Sequence, residues 1–260
     1  MLTANYVKAV LEEAGDPARA KHMQRYFKTA PGDYGENDIF IGVAVPEMRA
    51  LARREYKNIS LDDIKILITS TIHEHRQTAL FVLVEKYNDA RRKTIGKGKK
   101  TSVECEKEAG REKKEIVTLY LENLAGVNNW DLTDASASYI LGEWFLETEP
   151  ETLGDKTLRR LSESENLWEQ RISVMTTYAF IKQDIFDPTL RLCVHFLPST
   201  HDLIHKCTGW MLREIGKRDE TVLVRFLEEN AEKMPRTMLR YAIEKMRPEQ
   251  KEKYMKIKKR

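Results

Sequence analysis

The chain has 260 residues, of which 41% are hydrophobic and 33% are charged, and its formal net charge is +3. This balance is typical of a folded, soluble protein with a core. No apolar run reaches membrane-spanning length and the N-terminus has no apolar signal segment, so we expect a cytoplasmic protein with no membrane partner.

The cysteine and histidine patterns argue against a disulfide framework or a metal site. The chain has three cysteines, an odd number, and they contain no CxxC pair. Cys193 and Cys207 are expected to be buried thiols. The six histidines lack the spacing of a zinc helix or a facial triad. His73 and His75 are two residues apart and would diverge on a helix.

Helical patterns dominate from the N-terminus onward. Asp16-Pro17 predicts a helix start, with aspartate as the cap and proline in the first turn. The turn-rich stretch 29–47 is interpreted as a long loop between the first two helices. Residues 75–87 repeat apolar side chains along one helical face and predict a helix.

The segment 91–114 is strongly basic, with ten Lys/Arg and four Glu. We interpret it as a basic flexible insertion, with a Gly- and Lys-rich connection at 94–102. The C-terminal residues 251–260 are also basic. Such patches attract polyanions, but a solvated insertion and a frayed end would have the same composition.

In the second half of the chain, helical patterns recur at regular intervals. The interval from Asp134 to Arg171 is 37 residues, and the interval from Arg171 to Lys206 is 35 residues. Each pattern is preceded by another helical segment, one of which starts at Asp187-Pro188 with Asp187 as its predicted cap. A helix pair that recurs every 35 to 40 residues predicts an all-α fold, an α-solenoid of HEAT-like repeats with a concave cleft. We expect one domain over 1–260. The later helices are predicted at 134–146, 171–182, 206–217 and 238–246, and the preceding segments at 115–124, 155–164 and 187–197.

Four residues at repeat spacing are candidates for a ligand site: Trp130, Asp134, Arg171 and Trp210. Trp130 and Asp134 are four apart and therefore share a helical face. Each residue also has a structural interpretation. The indoles can be core, with Trp144 and Trp168 as stronger core candidates, and Asp134 or Asp131 can cap a helix. Arg171 can form a surface ion pair with Glu165 or Glu169.

Several short motifs occur in a fixed order along the chain. They are RYFK at 25–28, FIGVAVPEMRAL at 40–51 with Gly42, Pro46 and Arg49, HRQTALFVLVEKY at 75–87, NNWDLTD at 128–134, SENLWEQR at 164–171 and KCTGWMLRE at 206–214. Together they resemble the DNA alkylation repair glycosylases of the AlkD type, over most of the chain. One departure stands out, since Asn129 occupies a position that is aromatic in typical members.

The resemblance implies a monofunctional enzyme that excises positively charged N-alkylated purines, such as N3-methyladenine and N7-methylguanine, from double-stranded DNA without base flipping. It implies Asp134 as the catalytic carboxylate, Trp130 and Trp210 as aromatic contacts to the lesion nucleotide, and Arg171 as a phosphate contact. Tyr26 and Arg213 match further DNA-binding positions. No metal or other cofactor is expected, and we expect a monomer that associates with the nucleoid when bound to DNA.

Two other functions remain open from the sequence. Relatives of this superfamily bind branched or distorted DNA with little or no glycosylase activity, and a basic insertion fits that role as well. A protein-interaction scaffold is the common use of α-solenoids. A scaffold, however, has no use for aligned Trp, Asp, Arg and Trp side chains.

Overall fold

The computed structural model describes residues 3–94 and 102–257. These residues are largely helical, and within them the extended pairing is one isolated parallel bridge between Ile39 and Ile72. The prediction of an all-α fold is therefore confirmed. None of the helices in the described ranges is long and apolar enough to span a membrane.

The helices group into two compact units, Met1–Ile140 and Leu141–Arg260, and each is described by itself. The single domain expected from the sequence stays a prediction. The first unit contains α1 (Ala4–Glu13), α2 (Pro17–Tyr26), α3 (Val45–Glu55), α4 (Leu61–Ile68), α5 (His73–Thr94), α6 (Val103–Glu122), a 3-10 turn (Leu124–Gly126) and α7 (Trp130–Ala137).

Helix α5 is the centre of the first unit and packs against α3, α4, α6 and α7. Its residues from His73 to Leu83 are all buried, polar ones included. A helix that is buried all round needs partners for its polar side chains as well as for its apolar ones. The first turn of α5 is accordingly surrounded by a network of hydrogen-bonded polar side chains.

The predicted start of α2 is confirmed, because the Asp16 side chain accepts hydrogen bonds from Ala18 and Arg19 and Pro17 opens the helix. The predicted loop at 29–47 is wrong in its position. It follows the second helix and ends at Ala44, because Val45, with Pro46 behind it, already begins α3. The loop is anchored to α5, since His73 N–H donates to the Ile39 carbonyl at 2.8 Å.

Gly42 lies at the end of this loop and explains one residue of the N-terminal motif. Its φ is +84°, and a Cβ atom there would lie 2.1 Å from the Asp16 carbonyl oxygen. Its N–H donates to Glu74, which is fully buried in α5, at 2.7 Å. Only glycine combines this conformation with so close a backbone approach.

The prediction of a flexible insertion at 91–114 is wrong for the part that the structure describes. Helix α5 continues to Thr94 and α6 begins at Val103, capped by Ser102. Lys93 and Glu112 join the two helices by an ion pair at 2.8 Å. Residues 95–101, which include most of the predicted connection at 94–102, lie outside the described residues.

The second unit contains α8 (Glu143–Thr148), α9 (Asp155–Ser162), α10 (Leu167–Thr176), α11 (Tyr178–Ile181), α12 (Asp187–His195), α13 (Asp202–Arg218), α14 (Glu220–Asn230), α15 (Arg236–Ala242) and α16 (Pro248–Met255). Within it, α9 packs on α10 and α12 packs on α13. The second helices of successive pairs also stack, α10 on α13 and α13 on α15. This arrangement is that of a solenoid-like array.

Three predicted helix boundaries need correction. The helix expected at 134–146 is interrupted by a π-helical turn at Ser138–Gly142, which separates α7 from α8. The helix expected at 171–182 is divided at Thr177, whose hydroxyl donates to the Val174 carbonyl at 2.7 Å. Asp187 lies in the first turn of α12 and is not its cap, which is Phe186. The basic tail is helical as far as Met255.

Candidate functional site

The start of α7 carries two of the predicted site residues. Asn129 is its cap, and the Asn129 side chain accepts a hydrogen bond from the Trp130 N–H at 2.8 Å. Trp130 and Asp134 follow one turn apart, and both are partly exposed. Because Asn129 caps the helix, the alternative that Asp134 or Asp131 does so is wrong for α7.

Trp130 belongs to an aromatic cluster formed by the end of α2 and the loop after it. Its ring stacks on Phe27 at 5.1 Å, and Tyr26 meets it edge to face at 5.8 Å. Phe27 in turn stacks on Phe40 at 4.9 Å. Phe27 and Phe40 are buried, whereas Tyr26 is 61% exposed. The buried phenylalanine rings therefore support the Trp130 indole, and the exposed Tyr26 ring lies beside it on the surface.

Asp134 has a local hydrogen-bond environment of its own. The Thr133 hydroxyl lies 3.1 Å from Asp134 Oδ1 and also 2.8 Å from the Trp130 carbonyl. Thr133 itself is buried. The carboxylate thus sits at the half-exposed edge of α7, one turn after the indole.

Below this surface lies a buried carboxylate that the sequence gives no reason to expect, Asp38. Its Oδ2 atom is 3.0 Å from His73 Nδ1 and 2.7 Å from the Asn129 amide, and Oδ1 accepts from the Arg76 guanidinium. Burial raises the pKa of Asp38, but the hydrogen bond from His73 and the charge of Arg76 outweigh it. The pKa of this carboxyl therefore lies below its usual value, and the group is ionised.

The same histidine also contacts α7. His73 Nε2 lies 2.9 Å from Asp131 Oδ2, which accepts a second hydrogen bond from the Gln77 amide at 2.7 Å. Asp131 Oδ1 is buried and has no hydrogen-bond partner. His73 is fully buried, and its ring stacks on Phe40 at 4.5 Å. One imidazole thus bridges a loop carboxylate and a carboxylate in the first turn of α7.

The protonation of His73 follows from its partners. An ionised carboxylate only accepts hydrogen bonds, so a ring between two carboxylates donates from both nitrogens and is an imidazolium. Burial lowers the pKa of His73, but the charge of Asp131 and the hydrogen bonds to Asp131 and Asp38 outweigh burial and raise it to about 9. The Asp38–His73–Asp131 bridge is therefore charge-assisted at neutral pH.

In the second unit, the structure places Arg171 in the interior. The residue is 4% exposed, and its guanidinium donates to the Leu203 carbonyl, in the first turn of α13, at 2.6 Å. The alternative that Arg171 lies on the surface is therefore wrong. Arg171 ties α10 to the helix that carries Trp210.

Trp210 and Arg213 share one face of α13. The Trp210 N–H donates to Glu214 at 3.0 Å, and its ring lies 6.2 Å from that of Tyr178. Arg213 pairs with Glu244 and also lies 3.5 Å from Glu214. Trp210 is partly exposed. Glu214 thus orients the Trp210 indole, and Glu214 and Glu244 hold the Arg213 guanidinium.

The structure brings the sequence-predicted residues together in two groups. In the first unit, Tyr26 packs against Trp130, and Asp134 lies one turn after Trp130 on α7. The second unit holds Arg171, Trp210 and Arg213, on the adjacent helices α10 and α13. Trp168 is buried, as expected, whereas Trp144 is as partly exposed as Trp130 and Trp210, so it is no better a core candidate than they are.

Sequence reasoning missed Asp38, His73 and Asp131 as a connected set. They lie far apart in the chain, and no spacing or periodicity in the sequence connects them. The one signal available was the motif departure at Asn129, because this amide both caps α7 and donates to Asp38.

The remaining cysteine and metal predictions concern residues away from this cluster. Cys193 and Cys207 are buried thiols, which confirms the sequence prediction. Within residues 3–94 and 102–257, no group of three or more His, Cys, Asp or Glu is arranged to hold a metal ion.

Comparison with known proteins agrees with this architecture. A family model described as "DNA alkylation repair enzyme" matches residues 7–246. The fold is similar to a solved structure described as a predicted DNA alkylation repair enzyme from Enterococcus faecalis, with a TM-score of 0.65 and 16% identity. That match covers 90% of this chain and 97% of the other. No curated protein matches significantly.

Proposed function

Because the chain belongs to the DNA alkylation repair enzyme family, we propose that it is a monofunctional DNA glycosylase. Its proposed substrates are purines that alkylation at N3 or N7 has made cationic, within double-stranded DNA. The reaction is hydrolysis of the bond between the base and its deoxyribose, without flipping of the base. No cofactor takes part in the proposed reaction.

The observation that carries the proposal is the pairing of Trp130 and Asp134 on α7. They lie one turn apart, and both are partly exposed. Tyr26, 61% exposed, packs against the indole. A carboxylate beside an aromatic surface suits a cationic, C–H-rich ligand, because ring faces attract positive charge and the carboxylate attracts it too.

The chemistry of the proposed substrate needs little from the protein. A cationic alkylpurine is already a good leaving group, so no general acid has to protonate it. Departure of the base develops oxocarbenium character on the sugar, as in glycoside hydrolysis. In the proposed mechanism, the Asp134 carboxylate stabilises that charge and orients or deprotonates the attacking water.

The second group of residues supplies DNA contacts in this proposal. Trp210 would pack along the lesion nucleotide and Arg213 would contact the backbone. Arg171 is proposed as a phosphate contact, and its bond to the Leu203 carbonyl supports a further role in placing α13. Phosphate contacts fix register and orientation on DNA, whereas the aromatic side chains select the damaged nucleotide.

The experiment that tests the proposal compares lesions of different charge in matched duplexes. Base release is measured under single turnover for N7-methylguanine, for N3-methyladenine and for a neutral lesion such as uracil. We expect release of the two cationic purines and none of uracil above the spontaneous rate. If the protein bound branched DNA tightly and released no base from any duplex, the binding-module alternative would replace the glycosylase.

A further inference from the structure

The Asp38–His73–Asp131 bridge lies outside the residues assigned to the reaction, although it touches the helix that carries them. We propose that His73 is a positioning residue of the reaction: by donating from both ring nitrogens, it holds the first turn of α7, and with it Trp130 and Asp134, against α5 and the 27–44 loop. This inference rests on the proposed glycosylase function for its kinetic consequence.

The geometry of the bridge supports a role in placement. His73 itself is 0% exposed, so it does not reach a substrate. His73 lies 3.0 Å from Asp38 and 2.9 Å from Asp131. These contacts join the 27–44 loop to α7, which is far in sequence from both the loop and His73. Asp131 directly follows Trp130 and precedes Asp134 by three residues. Any shift of Asp131 therefore moves both proposed functional side chains.

A second connection reinforces the first. The Asn129 amide donates to Asp38 at 2.7 Å while its oxygen caps α7. The α7 N-terminus is thus tied to the same loop carboxylate twice, once through Asn129 and once through His73. The ring of His73 also lies against Phe40, which belongs to the cluster below Trp130.

Charged groups from three elements contact His73 or its partners. Asp38 from the loop and Asp131 from α7 contact the ring, and Arg76 from α5 itself reaches Asp38. Two carboxylates face one ring, so loss of one ring proton removes the His73 donor from one carboxylate oxygen, which is then left with its hydrogen bond from Gln77 or Asn129. The bridge is therefore expected to open as His73 titrates, with a pKa of about 9.

The test uses single-turnover release of N7-methylguanine at saturating protein, with the spontaneous rate subtracted at each pH. We expect the wild-type rate to fall as the pH rises through the His73 pKa. His73→Gln, which has no proton to lose in this range, should be at least about tenfold slower at neutral pH and should lack this alkaline decline. His22→Gln, the same change at an exposed histidine of α2, should match the wild type.

A second variant separates positioning from general destabilisation. In Asp131→Asn, one of the two carboxylates that stabilise the imidazolium is gone, so the alkaline decline should move to lower pH. A structural role alone would lower the melting temperature and leave the pH profile in place. If His73→Gln had the wild-type rate and the wild-type pH profile, the inference would be overturned.

Hydrogen exchange decides the inference even if no base is released. We expect faster amide exchange over 129–134 in His73→Gln than in His22→Gln, with the rest of α5 still protected. If the wild type released no base, the proposed function would fail, and faster exchange would still support the holding of α7 by His73. Unchanged exchange over 129–134 would overturn the holding itself.

Discussion

His73 Nε2 in α5 lies 2.9 Å from Asp131 Oδ2 in α7, three residues before the proposed catalytic Asp134. The two helices are far apart in sequence, and a second carboxylate, Asp38, completes the bridge on the other ring nitrogen. One buried histidine thus joins the helix of the proposed site to the loop that carries Asp38.

This bridge predicts how stability depends on pH. The folded-state pKa of His73 is about 9, above the ordinary value of 6.5. The stabilisation that protonated His73 contributes to the folded state is therefore fully present below pH 6.5. It is lost as the pH rises through the folded-state pKa. The loss in the free energy of unfolding should be on the order of 3 kcal/mol between these limits. Urea unfolding across this range measures it, and His73→Gln should flatten the dependence. An equally steep loss in that variant would assign the effect to another group.

A second prediction concerns Gly42. Gly42→Ala forces φ +84° on an alanine and places its Cβ 2.1 Å from the Asp16 carbonyl oxygen. We expect the free energy of unfolding to fall by at least about 1–3 kcal/mol. The matched control is Gly110→Ala in α6, where a Cβ would meet no atom within 4 Å. That change should be neutral or stabilise the protein by up to about 1 kcal/mol. Similar effects at both sites would contradict this account of the Gly42 turn.

A third prediction concerns the two roles of Arg171. Arg171→Ala leaves the partly buried Leu203 carbonyl without this donor and should lower the free energy of unfolding by about 1–3 kcal/mol. The proposed phosphate contact further predicts that the salt dependence of DNA binding becomes shallower by about one unit. Arg160→Ala, at an exposed arginine of α9, is the control. A destabilised variant with an unchanged salt slope would leave Arg171 as a structural residue only.

A fourth prediction concerns Tyr26. Its side chain is 61% exposed and packs edge to face on Trp130. Tyr26→Ala should weaken binding to lesion DNA by about three- to tenfold, since an aromatic contact contributes about 0.5–1.5 kcal/mol. Little change in melting temperature is expected for so exposed a residue. Tyr26→Phe keeps the ring and should bind nearly normally, as should Tyr6→Ala on α1. Normal binding by Tyr26→Ala would remove this residue from the proposed interface.

The sequence predicts the helices of this protein better than it predicts their ends. Apolar repeats locate α5, α10 and α13 because each helix buries apolar side chains against its neighbours. The break at Thr177 and the π-helical turn after α7 depend on backbone hydrogen bonding that no side-chain periodicity reports. The first half of α6 is strongly charged, and composition alone cannot distinguish such a helical segment from a solvated loop. The sequence therefore does not predict where α6 begins.

The candidate site shows the same division. Trp130 and Asp134 could be paired from the sequence, because helical spacing of four places them on one face. The bridge below them could not, since Asp38, His73 and Asp131 are brought together only by tertiary packing. Arg171 follows the motif, but nothing in the motif indicates that its side chain is buried.

In the proposed reaction, Asp134 provides the catalytic carboxylate of a glycosylase. The most direct measurement is single-turnover release of N7-methylguanine from duplex DNA by the wild type and by Asp134→Asn. Asp62→Asn, at an exposed carboxylate of α4, is the matched control. We predict release by the wild type and by Asp62→Asn, and a loss of roughly a hundredfold or more in Asp134→Asn with DNA binding retained. Near-normal release by Asp134→Asn would contradict the assignment of the carboxylate, and no release by the wild type would contradict the glycosylase itself.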